Sequence, residues 1–373
     1  MYTTQAFAEY AKTFNQHNIS ALAGYEASYG FDENVWHSRN NYNFPIDQFN
    51  PGPKEGMDGG GGESEYGRAG IIAQMKYSYA NRYFVEGSLR HDASDLFPKD
   101  KRWGTFYSGS LGWVVSDEAF MKTLKEKHIL DLLKLRASYG EVGLDSGVGR
   151  FAYLPSYNLN NTSYVIDGKF YQGFSEGAIP SPDITWYTTK QTDFGFDFES
   201  LQHRLFGSFD YFFYKTTGYL TSPDPLSVGY TAPLGKSLPQ VSSNKEHRRA
   251  GYEVQLGWKD AIGEVKYNIS VNTTFFDQLW ANNPDESLEN RKNPYLRTTQ
   301  QVGYYGTGYR TLGYYQDAND VYSNPKRTNS TNLTGGDIKY EDFNGDGKID
   351  FLLPTENKSN KFEVLLNAGI RFL

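Results

Sequence analysis

The sequence predicts an all-β protein of antiparallel strands, and it favours a transmembrane β-barrel over a soluble β-sandwich. Three observations predict this. Apolar and polar residues alternate with period two along many runs, which sends one residue set to each face of a strand. Tight turns interleave with connections far longer than compact domains hold, the loop pattern of an outer-membrane barrel. Aromatics and glycine are abundant (30 Tyr, 25 Phe, 6 Trp and 38 Gly in 373 residues) although mean hydropathy is only −0.64. A polar lumen offsetting an apolar belt gives that average, and so does a soluble all-β protein, so the residues alone leave open a sandwich that serves as a soluble surface glycan-binding or structural protein.

The clearest strand has Phe194, Phe196 and Phe198 against Asp193, Gly195, Asp197 and Glu199. Tyr252, Val254, Leu256 and Trp258 alternate with Glu253, Gln255, Gly257 and Lys259, and Val265, Tyr267, Ile269 and Val271 alternate with Lys266, Asn268, Ser270 and Asn272. Weaker alternation marks Gln5–Phe14, Ile19–Ala27, Ala69–Tyr79, Tyr83–Leu89, Trp103–Val115, Leu133–Tyr139, Leu205–Phe213, Gln301–Tyr315 and Phe362–Phe372. About twelve strands result, many near the ~10 residues that cross a bilayer at a tilt. Tight turns are expected at Tyr79–Arg82, Glu199–Arg204 and Asp260–Gly263, and long loops at Gly30–Tyr66, Gly140–Trp186, Gly218–Arg248, Trp280–Thr299 and Gln316–Lys361. One helix is expected from Ser116, with Ser116 as its cap, Asp117 and Glu118 in the first turn, and Phe120, Met121 and Leu124 on one side. The polar faces carry charges and very small residues (Glu86, Ser88 and Arg90; Gly104, Ser108, Ser110 and Gly112), and aromatics sit near strand ends (Tyr83, Trp103, Trp113, Tyr139, Trp258, Tyr267). Both features suit a lumen and its interfacial girdles.

Composition excludes several classes. With no Cys there is no disulfide scaffold, Cys-ligated zinc or Cys nucleophile. A net charge of −7 argues against a nucleic-acid binder. There is no apolar run near 18 residues and no signal-peptide pattern after Met1. The six His (17, 37, 91, 128, 203, 247) lack helical zinc spacing and read as loop or turn residues. No Gly-x-Ser-x-Gly elbow is present, Gly306-Thr307-Gly308 lacks phosphate-loop context, and no catalytic constellation is found, so an enzyme is not expected. The aromatics Tyr153, Tyr157, Tyr164, Phe170, Tyr171 and Phe174 crowd one loop, where they can contact ligand or partner or simply pack the loop on itself. The sharpest local motif is Asp342-Phe343-Asn344-Gly345-Asp346-Gly347-Lys348-Ile349-Asp350. Its oxygens at positions 1, 3 and 5 and Gly at 6 match the first half of a calcium loop, with Asp342, Asn344 and Asp346 as side-chain ligands, Lys348 through its carbonyl and Asp350 directly or through water. Position 12 is Leu353 where a bidentate Glu belongs, and an Asp/Asn/Gly-rich turn reads the same way.

Several blocks, in order, resemble the SusC/RagA-like TonB-dependent outer-membrane transporters. They are Tyr77–Ser94, with its Arg90, Asp92 and Ser94; Arg102–Phe106 followed by Ser110–Trp113 and Ser116–Phe120; Leu133–Gly140; Asp210–Thr217, ending in a Lys-Thr pair; and Gly336–Asp350. The resemblance implies the barrel part of an importer for large nutrients, oligosaccharides or peptides. It implies an outer membrane of Bacteroidetes type, outer-membrane lipid around the wall, a SusD-like surface lipoprotein as partner, and TonB acting through a plug. Family barrels belong to the 22-stranded, plugged class, so residues 1–373 are expected to form an incomplete barrel, a C-terminal portion without signal peptide, TonB box or plug.

Overall fold

The structure is a computed structural model. It describes all residues except 43–44, 46–47, 49–52, 222–235, 237, 293–296, 301–308, 328–331, 343–344, 346, 350–360 and 373, and only the backbone at 160–163 and 361–372. The strands are β1 (Tyr2–Phe14), β2 (His17–Ser38), β3 (Asp58–Tyr79), β4 (Tyr83–Ser94), β5 (Trp103–Val114), β6 (Leu132–Leu144), β7 (Tyr157–Ile166), β8 (Lys169–Glu176) and β9 (Tyr187–Ser200). They continue with β10 (Leu205–Thr217), β11 (Leu220–Thr221), β12 (Val241–Ser242), β13 (Glu246–Ile262), β14 (Val265–Asn282), β15 (Thr311–Tyr314), β16 (Ile338–Tyr340) and β17 (Lys361–Phe372). An eleven-stranded sheet follows chain order, β1-β2-β3-β4-β5-β6-β9-β10-β13-β14-β17, and its first and last strands are not neighbours, an incomplete sheet as the sequence predicts. The remaining strands form the two-stranded sheets β7-β8, β11-β12 and β15-β16. Two compact units divide the chain, 1–111 with 140–186, and 112–139 with 187–373.

Within the first unit β1 to β4 pair antiparallel with unbroken register. Ala80 and Asn81 both take positive φ (53° each) in the three-residue connection between β3 and β4, as the central pair of a turn that matches strand twist requires, and Arg82 N–H closes the turn on Tyr79 O at 2.9 Å. The segment 30–66 departs from the expected loop: β2 and β3 extend through it and pair Asn34–His37 with Gly62–Gly59. The glycine run is strand, and it gives room to a large neighbour, since a Cβ on Gly60 would meet the Trp36 indole at 3.0 Å. A small core closes the far end of the long loop. Phe97 and Ile184 are fully buried, Trp186 lies 5.0 Å from Phe97 and 5.5 Å from Phe106, ring to ring, and its indole N–H donates to Arg102 O at 3.0 Å. Gly143 clears space for Phe106, whose ring would stand 1.9 Å from an added Cβ.

Within the second unit β9, β10, β13, β14 and β17 pair antiparallel in turn. The expected helix is a pair of short 3₁₀ turns, Val115–Asp117 and Ala119–Met121, leading into one helical turn, Lys122–Glu126. Ser116 does not cap it; Val114 and Glu118 precede the two 3₁₀ turns without side-chain capping bonds, and Ser116 is buried. This connection is held to the β9–β10 turn instead. Asp131, buried, accepts from His128 Nδ1 at 2.6 Å and from the His203 backbone N–H at 3.0 Å. Burial pushes the Asp131 carboxyl up, but those two hydrogen bonds outweigh it and hold it below the ordinary carboxylate range. Three successive residues of that turn, Leu201, Gln202 and His203, adopt positive φ, which L side chains resist, so the Asp131 contact supports strained backbone.

The described part of the expected strand Gln301–Tyr315 does not join the main sheet. Residues 301–308 lie outside the described ones, and Thr311–Tyr314 pairs only with Ile338–Tyr340. Thus no described strand of the main sheet lies in the chain between β14 and β17. In it Glu286, buried, accepts from the Thr298 and Thr299 backbone N–H groups and from both hydroxyls. Burial raises this carboxyl, and the four donors more than reverse the effect, so its pKa is lowered. A lowered native pKa stabilises at pH values above the ordinary carboxyl value and is lost as pH falls through the lower native one. Amide exchange protection at Thr298 and Thr299 is accordingly expected to fade on acidification below about pH 4. Glu286→Gln is expected to lower it roughly tenfold at pH 7 and to abolish the acid dependence; unchanged protection would refute the latch.

Candidate functional site

The alternation predicted along the strands has direct geometric form. In the second unit one face carries Phe196, Phe209 and Val254 in one row and Phe194, Tyr211, Tyr252 and Phe275 in the next. Rings meet across strands at 5.7 Å (Phe196–Phe209), 6.4 Å (Phe209–Tyr252) and 5.4 Å (Tyr252–Phe275). This face is the uncovered one: Phe194 is 56% exposed, Leu256 51% and Ile269 50%. The opposite face places Gly195 beside Asp210 and Glu253, and Asp197 beside Ser208, Gln255 and Asn272. There Arg136 of β6 grips Asp197 with two parallel bonds of 2.9 Å and reaches Asp210 at 3.1 Å.

The first unit repeats the division. Ile19, Tyr77 and Val85 share a row, as do Tyr25, Ile71 and His91. The other face pairs Gln5 with Glu26 (2.6 Å), Gln74 with Glu86 (2.6 Å), Arg90 with Asp92 (3.0 Å) and Ser88 with Ser108 (2.6 Å). Aromatic clusters mark strand ends. His17 stacks on Phe14 (5.1 Å) and meets Tyr79 at a tilt (4.9 Å) beside the short turns, and His91 lies flat on Trp103 at 4.7 Å near the opposite ends of β4 and β5. A wide exposed apolar face backed by a polar, hydrogen-bonded one is the reverse of a sandwich, whose apolar faces are buried, and fits a wall with lipid on one side and water on the other.

Other expectations are placed as follows. His17, His37, His91 and His247 lie in strands rather than loops, and His128 and His203 lie in connections. Among the described residues no group of three His, Asp or Glu could hold a metal ion. Of the loop aromatics, all but Tyr153 form the β7–β8 hairpin, where Tyr157 meets Phe174 edge-on at 5.9 Å and Tyr164 stacks on Tyr171 at 6.0 Å. The Asp167-Gly168 turn with positive φ at both positions is the signal that could have found this hairpin. Two ion pairs and a hydrogen bond hold the start of its loop within the first unit: Arg68 to Asp145 at 2.8 Å, Arg150 to Asp95 at 3.0 Å, and the Ser94 hydroxyl donating to Asp145 at 2.8 Å. Of the calcium-loop residues, Asn344, Asp346 and Asp350 lie outside the described ones, as does Gly306-Thr307-Gly308. Asp342 accepts from the Gly345 and Gly347 backbone N–H groups at 2.8 Å each, and Lys348 is exposed.

A profile described as TonB dependent receptor-like, β-barrel, matches residues 2–369. The chain belongs to the TonB-dependent receptor β-barrel family. It is 27% identical to the TonB-dependent receptor P39 of Formosa agariphila, over 94% of this chain and 36% of that protein. It is 28% identical to the TonB-dependent receptor SusC of Bacteroides thetaiotaomicron, over 75% of this chain and 27% of that protein. The chain thus spans about a third of the length of these relatives. Among solved structures, the RagAB peptide transporter matches 99% of this chain and 39% of its own with a TM-score of 0.71 at 18% identity, a likeness of fold. The relatives are receptors by name, and the membership accounts for the apolar outer face as barrel exterior.

Proposed function

We propose that this receptor-family chain forms wall of an outer-membrane importer for large nutrients, oligosaccharides or peptides, in a Bacteroidetes-type envelope. In this reading it works with a SusD-like surface lipoprotein, and TonB drives import through a plug. The observation that carries the reading is the exposed apolar belt, Phe194 to Ile269, opposite the polar face around Arg136; contiguous exposed apolar surface on this scale marks a membrane or partner interface. The name of the fold neighbour, the RagAB peptide importer, supports peptides within this nutrient class. Expressed behind a signal sequence, the chain is expected in the outer-membrane fraction, extracted by detergent and not by salt. Recovery as a stable, detergent-free monomer would overturn the proposal.

The same reading keeps calcium at Asp342, Asn344, Asp346, Lys348 and Asp350, where the residue types match the first half of such a loop. Calorimetric titration with calcium is expected to give heat that Asp346→Ala removes. No heat in the parent chain would leave the segment as the Asx-type turn that Asp342 already forms with Gly345 and Gly347.

A further inference from the structure

In the second unit, residues 309–327 and 332–342 include β15, a helical turn at Ala318–Ser323 and β16. Their carboxylates are occupied from within. Asp317 caps the helical turn by accepting from Asp320 N–H at 2.9 Å. Asp320 accepts from Lys339 Nζ at 2.8 Å and from Gln316 N–H at 3.0 Å. Asp337 accepts from Thr334 N–H at 2.8 Å, Glu341 pairs with Arg310 at 3.0 Å, and Asp342 takes the two glycine N–H groups already described. Lys339 and Arg310 are neutralised by the same contacts.

Two cations of the segment are left without a carboxylate among the described residues, and both rest on tyrosines. Arg327 places its guanidinium carbon 4.3 Å from the Tyr309 ring centre and 5.7 Å from that of Tyr340, and those two rings are 5.0 Å apart. Lys326 Nζ stands 4.9 Å from the ring centre of Tyr322. In a chain with 44 acidic and 37 basic residues, an unpaired basic dipeptide runs against the composition. Packing on an aromatic face holds the guanidinium plane but uses none of its five in-plane N–H donors. A guanidinium that rests on aromatic rings keeps its N–H donors available to take a carboxylate through two parallel bonds.

We propose that Arg327, seated on Tyr309 and Tyr340 with Lys326 next to it in sequence, binds carboxylate groups of a soluble oligomeric ligand, an acidic sugar or an acidic peptide. As a nutrient contact it rests on the import reading above, but the binding itself does not. The test is calorimetry on the full chain in detergent micelles, with trigalacturonate, triglutamate and the neutral oligomers maltotriose and triglycine amide as probes. A carboxylated probe is expected to bind, and more weakly at high salt. Binding of trigalacturonate alone identifies the sugar source and of triglutamate alone the peptide source. Arg327→Ala is expected to lower affinity at least roughly tenfold, and Arg327→Lys to lose several-fold because charge without the planar fork is retained. Lys12→Ala, in β1, controls for net charge and is expected to change nothing. Equal binding of neutral probes, no binding of either acid, an unchanged Arg327→Lys or Arg327→Ala variant of native circular dichroism, or an equal loss in Lys12→Ala would overturn the proposal. Because the measurement uses solubilised protein, it stands whether or not fractionation places the chain in the outer membrane.

Discussion

Arginine at Val271 is expected to cost about 2–4 kcal/mol of folding stability in a bilayer, whereas arginine at the adjacent Asn272 is expected to cost less than about 1. Val271 sits midway along β14, is 41% exposed, and is paired with Leu256 on the apolar face. Asn272 is opposite Gln255 on the polar face. In lipid a guanidinium at Val271 must leave water, while at Asn272 it meets water and hydrogen-bonding neighbours. The two variants differ by one residue in position and by nothing in added charge, so the comparison isolates the face. The measurement is the urea midpoint of insertion into phosphatidylcholine vesicles, with flotation to count inserted protein. Equal losses at the two positions would show that the apolar face is not the lipid face. Leu256→Arg is expected to reproduce the Val271 result, since both lie in one row.

The wall was legible because a period-two pattern survives in β9, β13 and β14, where every second residue of Phe194–Phe198, Tyr252–Trp258 and Val265–Val271 is an aromatic or aliphatic group. It was legible also in turns such as Tyr79–Arg82, whose flanking runs match in length and pair residue for residue. Misreadings arose where a residue type carries two meanings. Glycine usually signals a loop, yet Gly59–Gly62 is strand, because strand glycine also serves close approach by a bulky neighbour, here Trp36. Ser116 before two acids resembles a cap, yet helical structure here lasts five residues after 3₁₀ turns, and tertiary ties at Asp131 fix the connection instead. Gln301–Tyr315 alternates, but alternation reports a half-covered strand of any sheet, and its described part pairs locally. The Arg136 cluster and the Arg327 seat were illegible for a different reason. Each gathers residues from separate elements, 61 and 74 positions apart for Arg136 with Asp197 and Asp210, and one sequence contains no sign of which distant acid meets which base.

Removing the Arg136 guanidinium is the second large effect expected. One cation on β6 serves two carboxylates, Asp197 on β9 and Asp210 on β10, and Asp193 lies on the same face of β9, two residues from Gly195. Gly195 makes the arrangement possible, because a Cβ there would stand 2.0 Å from Asp210 Oδ1 and 2.8 Å from Phe209 O. Without Arg136 the acids repel one another in a setting where Asp210 is only 18% exposed. A fully buried pair broken on one side costs about 3–5 kcal/mol and an exposed one about 0–1. With roughly a third of the Arg136 side chain exposed, an intermediate loss of about 2 kcal/mol is expected for Arg136→Ala, read as a lower urea midpoint. Arg136→Lys is expected to recover less than half, since a point charge cannot hold Asp197 by two bonds while reaching Asp210. Replacing all three partners at once, Arg136→Met with Asp197→Asn and Asp210→Asn, is expected to restore most of the loss, because the penalty lies in the unpaired charges and not in the absence of a salt bridge. If Arg136→Ala melts like the parent, water alone screens these acids, and the cluster contributes to the character of the polar face without holding the sheet together.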